Sequence, residues 1–245
     1  MNLLLFALLV YPAFAFVEST LSAPEDVAIN VLVFSKTAGY RHESIPDGQG
    51  MILELCAKEG HSVAFTEDAS WFSDETLKNF DVVIFLNTTG DVLNPSQERA
   101  FESFIKRGGG FIGIHSASDT EYEWKFYGRL VGAYFKIHPE IQEADVHIED
   151  PNHPTMSALP KVWRRKDEWY NFRANPRSEV HVLATVNEKS YRGGEMGNDH
   201  PIIWCQDFEG GRSWYCAMGH TKETFREPLF MDMLRRAILW AARKI

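Results

Sequence analysis

The chain is 245 residues long, 44% hydrophobic and 24% charged, enough for one globular domain that buries a core without help from metals or disulfides. Its net charge of -9 and isoelectric point near 5.5 argue against nucleic acid or an anionic membrane surface as a main partner, because phosphate binding needs clustered Lys and Arg. Three cysteines are an odd number, which leaves at least one thiol outside any bridge within the chain.

Residues 1–15 are apolar throughout and end in Ala13-Phe14-Ala15, the small-x-small pattern of a signal-peptidase site. They read as a signal peptide, residues 16–27 as a leader and residues 28–245 as the mature domain. The expected location is therefore secreted or periplasmic. The apolar run is short for a membrane span, so no membrane association is expected once it is cleaved.

Residues 27–34 read as a first buried strand, followed by a polar loop with Thr37, Tyr40, Arg41 and His42. A helix over 46–59 returns and stops at Gly60. Residues 62–66 make a short second strand, 74–79 a short helix, and 81–86 a third strand, continuously apolar as strands covered on both faces are. Asn94-Pro95-Ser96-Gln97 opens a helix, with Asn as cap, Pro at the first helical position and Gln where a capping box needs it. Ala100, Phe101, Phe104 and Ile105 mark its buried face, and Gly108 ends it. The strand 111–114 comes next and empties into His115, Ser116, Ser118 and Asp119. This strict alternation predicts an α/β fold of three layers around a mainly parallel central sheet.

After residue 120 the pattern loosens. Residues 124–131 read as a helix, 144–148 and 179–186 as strands, 202–207 and 212–217 as a hairpin, and 228–243 as a last helix with Phe230, Met233, Leu234, Ala237, Ile238 and Ala241 on one stripe. A two-residue hairpin loop at Gly210-Gly211 sets Cys205 opposite Cys216. That is a hydrogen-bonded position with a spacing ill suited to a disulfide, so a bridge there stays open.

In a parallel sheet, ligands bind beyond the carboxyl ends of the strands. The residues just past each strand end are Tyr40 and His42, Asn87, His115 and Asp119, and Gly219 and His220, and the topology brings them to one rim. The irregular middle adds His138-Pro139, His153-Pro154, His200-Pro201 and the run Asp167-Glu168-Trp169-Tyr170. His115, Glu168 and His220 are candidates for proton transfer near neutral pH. Tyr40, His42, Asn87, Asp119, His138 and Trp169 are candidates for binding a substrate. A divalent ion such as zinc is a second use of the same groups, with His115, His138, Glu168 and His220 as ligands, although no compact His-x-x-x-His spacing is present.

With these residues in hand, the chain resembles the ThuA-like family, named for trehalose utilization, within the class I glutamine-amidotransferase-like superfamily. The landmarks are Lys36-Thr37-Ala38-Gly39-Tyr40-Arg41-His42, Gly109-Gly110-Phe111-Ile112-Gly113-Ile114-His115-Ser116-Ala117-Ser118-Asp119, Gly132-Ala133-Tyr134-Phe135 with His138-Pro139, Asp167-Glu168-Trp169-Tyr170, His200-Pro201 and Gly219-His220-Thr221. The resemblance implies a three-layer flavodoxin-like fold. It also implies that His115 stands where the amidotransferases of the superfamily carry their nucleophilic Cys. No cysteine lies near that position, so a glutaminase mechanism, which needs a thiolate beside a base, is not expected. Neither Ser116 nor Ser118 sits in a Gly-x-Ser-x-Gly frame.

The resemblance implies carbohydrate work instead, on small-molecule glycosides or their 3-keto derivatives. A non-catalytic sugar-binding or interaction module on the same fold is the alternative, and a metal-dependent hydrolase a third reading. Two further features bear on the rim. Asn87-Thr88-Thr89 is a glycosylation sequon, and Tyr122, Trp124 and Tyr127 could line a sugar site or pack in the core.

Overall fold

The computed structural model describes residues 28–245, so the signal-peptide and leader readings lie outside the described residues. The first half alternates as expected: β1 (Asn30–Phe34), α1 (Ile45–Glu59), β2 (Ser62–Thr66), α2 (Asp74–Leu77), β3 (Val82–Leu86), α3 (Pro95–Lys106) and β4 (Gly110–Ile114). The reason is local. At α3, for example, the Asn94 side chain accepts from the N–H groups of Ser96 and Gln97, and the Gln97 side chain accepts from the Asn94 N–H, closing the capping box.

The second half contains α4 (Lys125–Val131), β5 (Phe135–Ile137), β6 (Gln142–Ile148), β7 (Val162–Asp167), β8 (Asn171–Phe172), β9 (His181–Val186), β10 (Pro201–Phe208), β11 (Gly211–Cys216) and α5 (Pro228–Ala241). Strands β5, β7 and β8 carry no clear signal in the sequence. In β7 the buried face is Trp163, Arg165 and Asp167, so two of its three inward side chains are charged and the apolar alternation that marks a strand is missing. Strands β5 and β8 pair only with each other.

Nine strands form one sheet in the order β2-β1-β3-β4-β11-β10-β9-β6-β7. The five strands from β2 to β11 are mutually parallel, whereas β10, β9, β6 and β7 each run antiparallel to their neighbours. The sheet is therefore mixed, parallel in the half that is wound with helices. The late strands succeed one another without crossover helices, and antiparallel pairing is what such connections permit.

Helices cover both faces. On Gly110 a side chain would strike the Ala241 backbone of α5, with Cβ 2.7 Å from the carbonyl oxygen, while the next residue, Phe111, packs against Phe101 of α3 and Tyr127 of α4. Successive strand residues face opposite sides, so α5 lies on one face and α3 with α4 on the other. Trp124 and Tyr127 are buried in that second layer, which makes them core rather than sugar wall. No described helix is long and apolar enough to cross a membrane.

The hairpin register differs from the expected one. Its two-residue loop is Glu209-Gly210, both at positive φ (47° and 103°), so Phe208 pairs with Gly211 and Cys205 faces Trp214, not Cys216. The positive φ pair matches the strand twist, which is why the turn settles there. Cys56, Cys205 and Cys216 are all free and buried.

Candidate active site

The rim at the carboxyl ends of the parallel strands does gather chemistry. β1 runs into the loop with Tyr40 and His42, β3 into Asn87, β4 into His115, and β11 into Ala217, Gly219 and His220. Glu168 arrives from the end of β7, at the far edge of the sheet. On a flat sheet β7 would stand four strand spacings from β11, about 19 Å. Yet Asp167, the last residue of β7, accepts hydrogen bonds from the Gly219 and His220 N–H groups, both at 3.1 Å. The antiparallel half therefore curls over the rim and carries Glu168 into it.

Asp167 fastens this junction. Fully buried, it also accepts from the Glu168 N–H at 2.9 Å, the Thr224 hydroxyl at 2.8 Å and the Arg165 guanidinium at 3.1 Å. Gly219 has a φ of 130°, a conformation that favours glycine, and its carbonyl accepts from the Asn87 side-chain amide at 3.0 Å and the Ser44 hydroxyl at 3.1 Å. The backbone before His220 is thus held from both sides. His115 itself sits at a φ of 50°, a tight elbow directly after β4.

At the centre lie His42, His115, Glu168 and His220, whose nearest ligand-type atoms are all within 4.8 Å of one another. Glu168 Oε2 is 3.3 Å from His115 Nε2 and 3.1 Å from His220 Nδ1, and those two nitrogens are 3.3 Å apart. The other carboxylate oxygen, Oε1, is 3.0 Å from His138 Nδ1. His115 Nδ1 lies 2.7 Å from the Ala217 carbonyl. A carbonyl only accepts, so Nδ1 carries a proton and donates it there. The Tyr170 ring covers the His115 ring, with centroids 4.1 Å apart.

Electrostatics follow from this packing. Burial alone would raise the Glu168 carboxyl, but hydrogen bonds from His115 and His220 more than offset it and hold the group well below the usual carboxylate range. Burial would lower His220, but the Glu168 carboxylate raises it above an ordinary imidazole. His42 is pushed down to about 2, first by burial and then by the neighbouring His115 and His220, and so stays neutral. Burial raises the Asp119 carboxyl, partly countered by the Tyr122 hydroxyl donating to it.

A cavity of about 430 Å³ opens over this group, lined by Tyr40, His42, Asp119, Phe135, His138, Glu168, Tyr170 and His220. Most of the residues singled out from sequence are thus brought to one place. Three of them do not line it. His115 is fully buried beneath Glu168 and His220. Asn87 is fully buried as well, its amide spent on Ser44 and Gly219, so it shapes the rim and the sequon is closed to a glycan in the folded chain. Trp169 is 0% exposed with its indole N–H donated to the Gln142 carbonyl at 2.8 Å, and it offers no face to a ligand.

The inner group contains His42 and not His138. His138 is an exposed rim residue on the outer oxygen of Glu168, whereas His42 stands with the three inner groups. His153 and His200 lie outside the cleft. His153 is beside Cys205, and His200 is a core histidine between Glu188, Tyr191 and the Tyr170 carbonyl. Sequence reading missed Asp167 and Tyr170 as positioning groups. The only signal available was their adjacency to Glu168.

Comparison with solved structures places this architecture. A ThuA-like protein from Bacteroides uniformis superposes with a TM-score of 0.75 at 24% identity, over 90% of this chain and 95% of that one. A ThuA-like protein from Parabacteroides merdae gives 0.75 at 19% identity, over 89% and 91%. A β-galactosidase from Bacillus circulans shares the fold more distantly, with a TM-score of 0.55 at 13% identity, over 87% of this chain and 31% of that one. At these identities the likeness is one of fold. A search of curated proteins finds no match. The family described as ThuA, trehalose utilisation, matches residues 30–241, nearly the whole described chain, and the chain belongs to that family.

Proposed function

We propose that the chain is a carbohydrate-active enzyme that cleaves glycosides, with 3-keto glycosides the substrates best suited to its groups. The observation that carries this reading is the His220–Glu168 pair in the wall of a small cleft, with Asp119 lining the same space. A ketone at C3 acidifies the C2 proton, so an ordinary side-chain base can start the reaction without an oxocarbenium ion.

In this reading Asp119 is the base. One of its oxygens accepts from Tyr122, and burial makes the group more basic than an exposed carboxylate. Glu168 is too strongly held by His115 and His220 to serve well, and His115 does not reach the cleft. Asp119 takes the C2 proton, the C–H electron pair becomes the C1=C2 bond, and the C1–O bond breaks toward the departing alcohol, which takes up a proton. Water then adds across the double bond to give the free 3-keto sugar. His220, whose hold on its proton is strengthened by Glu168, donates its outer N–H to the ketone oxygen as charge develops there. Tyr40, 63% exposed at the rim, offers a ring face to the sugar.

The same reading assigns residues 1–15 as an export signal and puts the activity outside the cytoplasm, so the exported chain should begin at Phe16 in an N-terminal mass measurement. The catalytic test is release of p-nitrophenol from its 3-keto glucoside by purified protein. Asp119→Asn should lower kcat by roughly 10²–10⁴-fold while the fold, followed by circular dichroism, is retained. A folded wild type that binds glucosides but releases nothing would leave the sugar-binding module as the correct description.

A further inference from the structure

We propose that His115, Glu168 and His220, completed by His42, form a binding site for one divalent transition-metal ion, with zinc the species their chemistry suits best. The inference deepens the reading of this cleft as the working site and rests on it, but it stands on a separate geometric observation.

That observation is a triangle of ligand atoms. His115 Nε2, His220 Nδ1 and Glu168 Oε2 are separated by 3.3, 3.3 and 3.1 Å. Ligand atoms about 2.0–2.1 Å from a tetrahedral ion are spaced roughly 3.3–3.4 Å apart, so the triangle has the size of one face of such a tetrahedron. His42 supplies a fourth nitrogen within 4.8 Å of the others. The ring planes of the three histidines stand 81–87° to one another, as imidazoles do when they converge on a point from different directions.

The proton inventory leads to the same assignment. Because His115 Nδ1 donates to the Ala217 carbonyl at 2.7 Å, Nε2 is the ring nitrogen left to face the Glu168 carboxylate and to ligate an ion. Glu168 Oε2 lies 3.3 Å from it, a separation at which both atoms can ligate one ion. One cation at that place is shared by His115 Nε2, Glu168 Oε2 and His220 Nδ1 at once. The carbonyl behind His115 is the outer-shell partner that fixes ring orientation in metal sites. His138 holds the second oxygen of Glu168 and so directs Oε2 inward. Three imidazoles and one carboxylate suit zinc and its neighbours and not Mg²⁺ or Ca²⁺, which prefer shells of oxygen.

An ion at this place leaves His220 able to keep the role given above. With Nδ1 on the metal, its proton sits at Nε2 and remains available as a donor.

The test is metal binding by the full chain, with any affinity tag removed. Protein dialysed against a chelator is titrated with Zn²⁺ by calorimetry and with Co²⁺ by visible absorption. The expected result is one equivalent of Zn²⁺ per chain, intense d–d bands typical of four-coordinate Co²⁺, and a higher melting temperature with Zn²⁺. Glu168→Gln and His220→Asn should weaken binding by at least 10–100-fold, and circular dichroism verifies their folding. His181→Gln, at an exposed histidine paired with Asp150 outside the cleft, should bind as the wild type does. No stoichiometric binding, or binding that these two variants leave unchanged, overturns the site. If the protein takes up no metal but still cleaves a 3-keto glycoside, the metal assignment falls and the acid–base reading stands. Tight binding without turnover does the reverse.

Discussion

Replacing Asp167 by asparagine keeps the size of the side chain and removes its charge at the point where the two halves of the sheet meet. Oδ1 accepts from the Glu168 and His220 N–H groups, and Oδ2 from Gly219, Thr224 and Arg165. Whichever oxygen becomes the amide, two or three buried donors then face N–H instead of an acceptor, at about 1–3 kcal/mol for each group left unsatisfied. Arg165 also loses a buried counter-charge, a change that costs about 3–5 kcal/mol when one partner is removed. Because these effects overlap, the expected loss is about 3–5 kcal/mol in all, or roughly 6–20 °C in melting temperature for a domain of this size. Urea unfolding followed by circular dichroism measures it. Asp145→Asn, which removes a half-buried partner of the exposed Arg164, is the control and should cost less than about 1 kcal/mol. The variant should also lower the titration midpoint of the His220 imidazole, read by NMR, because the loop that presents it to Glu168 is released. A loss under about 1 kcal/mol with His220 unchanged would refute the view that Asp167 joins the curled half of the sheet to the rim.

Two further outcomes can be checked independently. Gly110→Ala places a methyl 2.7 Å from the Ala241 carbonyl oxygen, which α5 must move to relieve, so a destabilisation of about 1–3 kcal/mol is expected. A neutral or stabilising result in urea would mean that the helix docks more loosely than its contact suggests. His153 is lowered to about 4, mainly by burial. Above about pH 6.5 it is neutral in both states and has no effect. As the pH falls from there toward 4 the unfolded chain takes up the proton and the folded one does not, so stability is lost. The ceiling is about 3.4 kcal/mol, and partial exposure of the ring reduces the expected loss to about 1–2 kcal/mol. Wild type should therefore lose that much more stability than His153→Gln between about pH 7 and pH 4.5. His42 and His200 are lowered too but are common to both proteins, and equal losses would contradict the assignment.

Local signals carried a large part of the fold. The capping box at Asn94, the apolar run of β3, and the glycines before β4 each act within a few residues, so they read directly as helix start, buried strand and helix end. Those elements determine a parallel half-sheet, and the parallel half-sheet determines that Tyr40, His42, His115 and His220 share one rim. The sequence by itself therefore located the cleft and identified the imidazoles around it.

What it could not determine came from contacts between residues far apart in the chain. Strand β7 is hidden because Arg165 and Asp167 satisfy each other across its inner face, and no pattern in one segment shows that a partner exists. Without β7 the curl of the sheet is unknown, and so is the seat of Glu168. Exposure is likewise a tertiary property. Nothing in Trp169 or Asn87 announces that the one is packed under Gln142 and the other spent on the Gly219 carbonyl, nor that His115 lies beneath the cleft floor instead of in it. The residue types of the site were set by the chain, but the 3.1–3.3 Å triangle that gives them a shared chemistry exists only once a mixed sheet has folded its far edge back onto its centre.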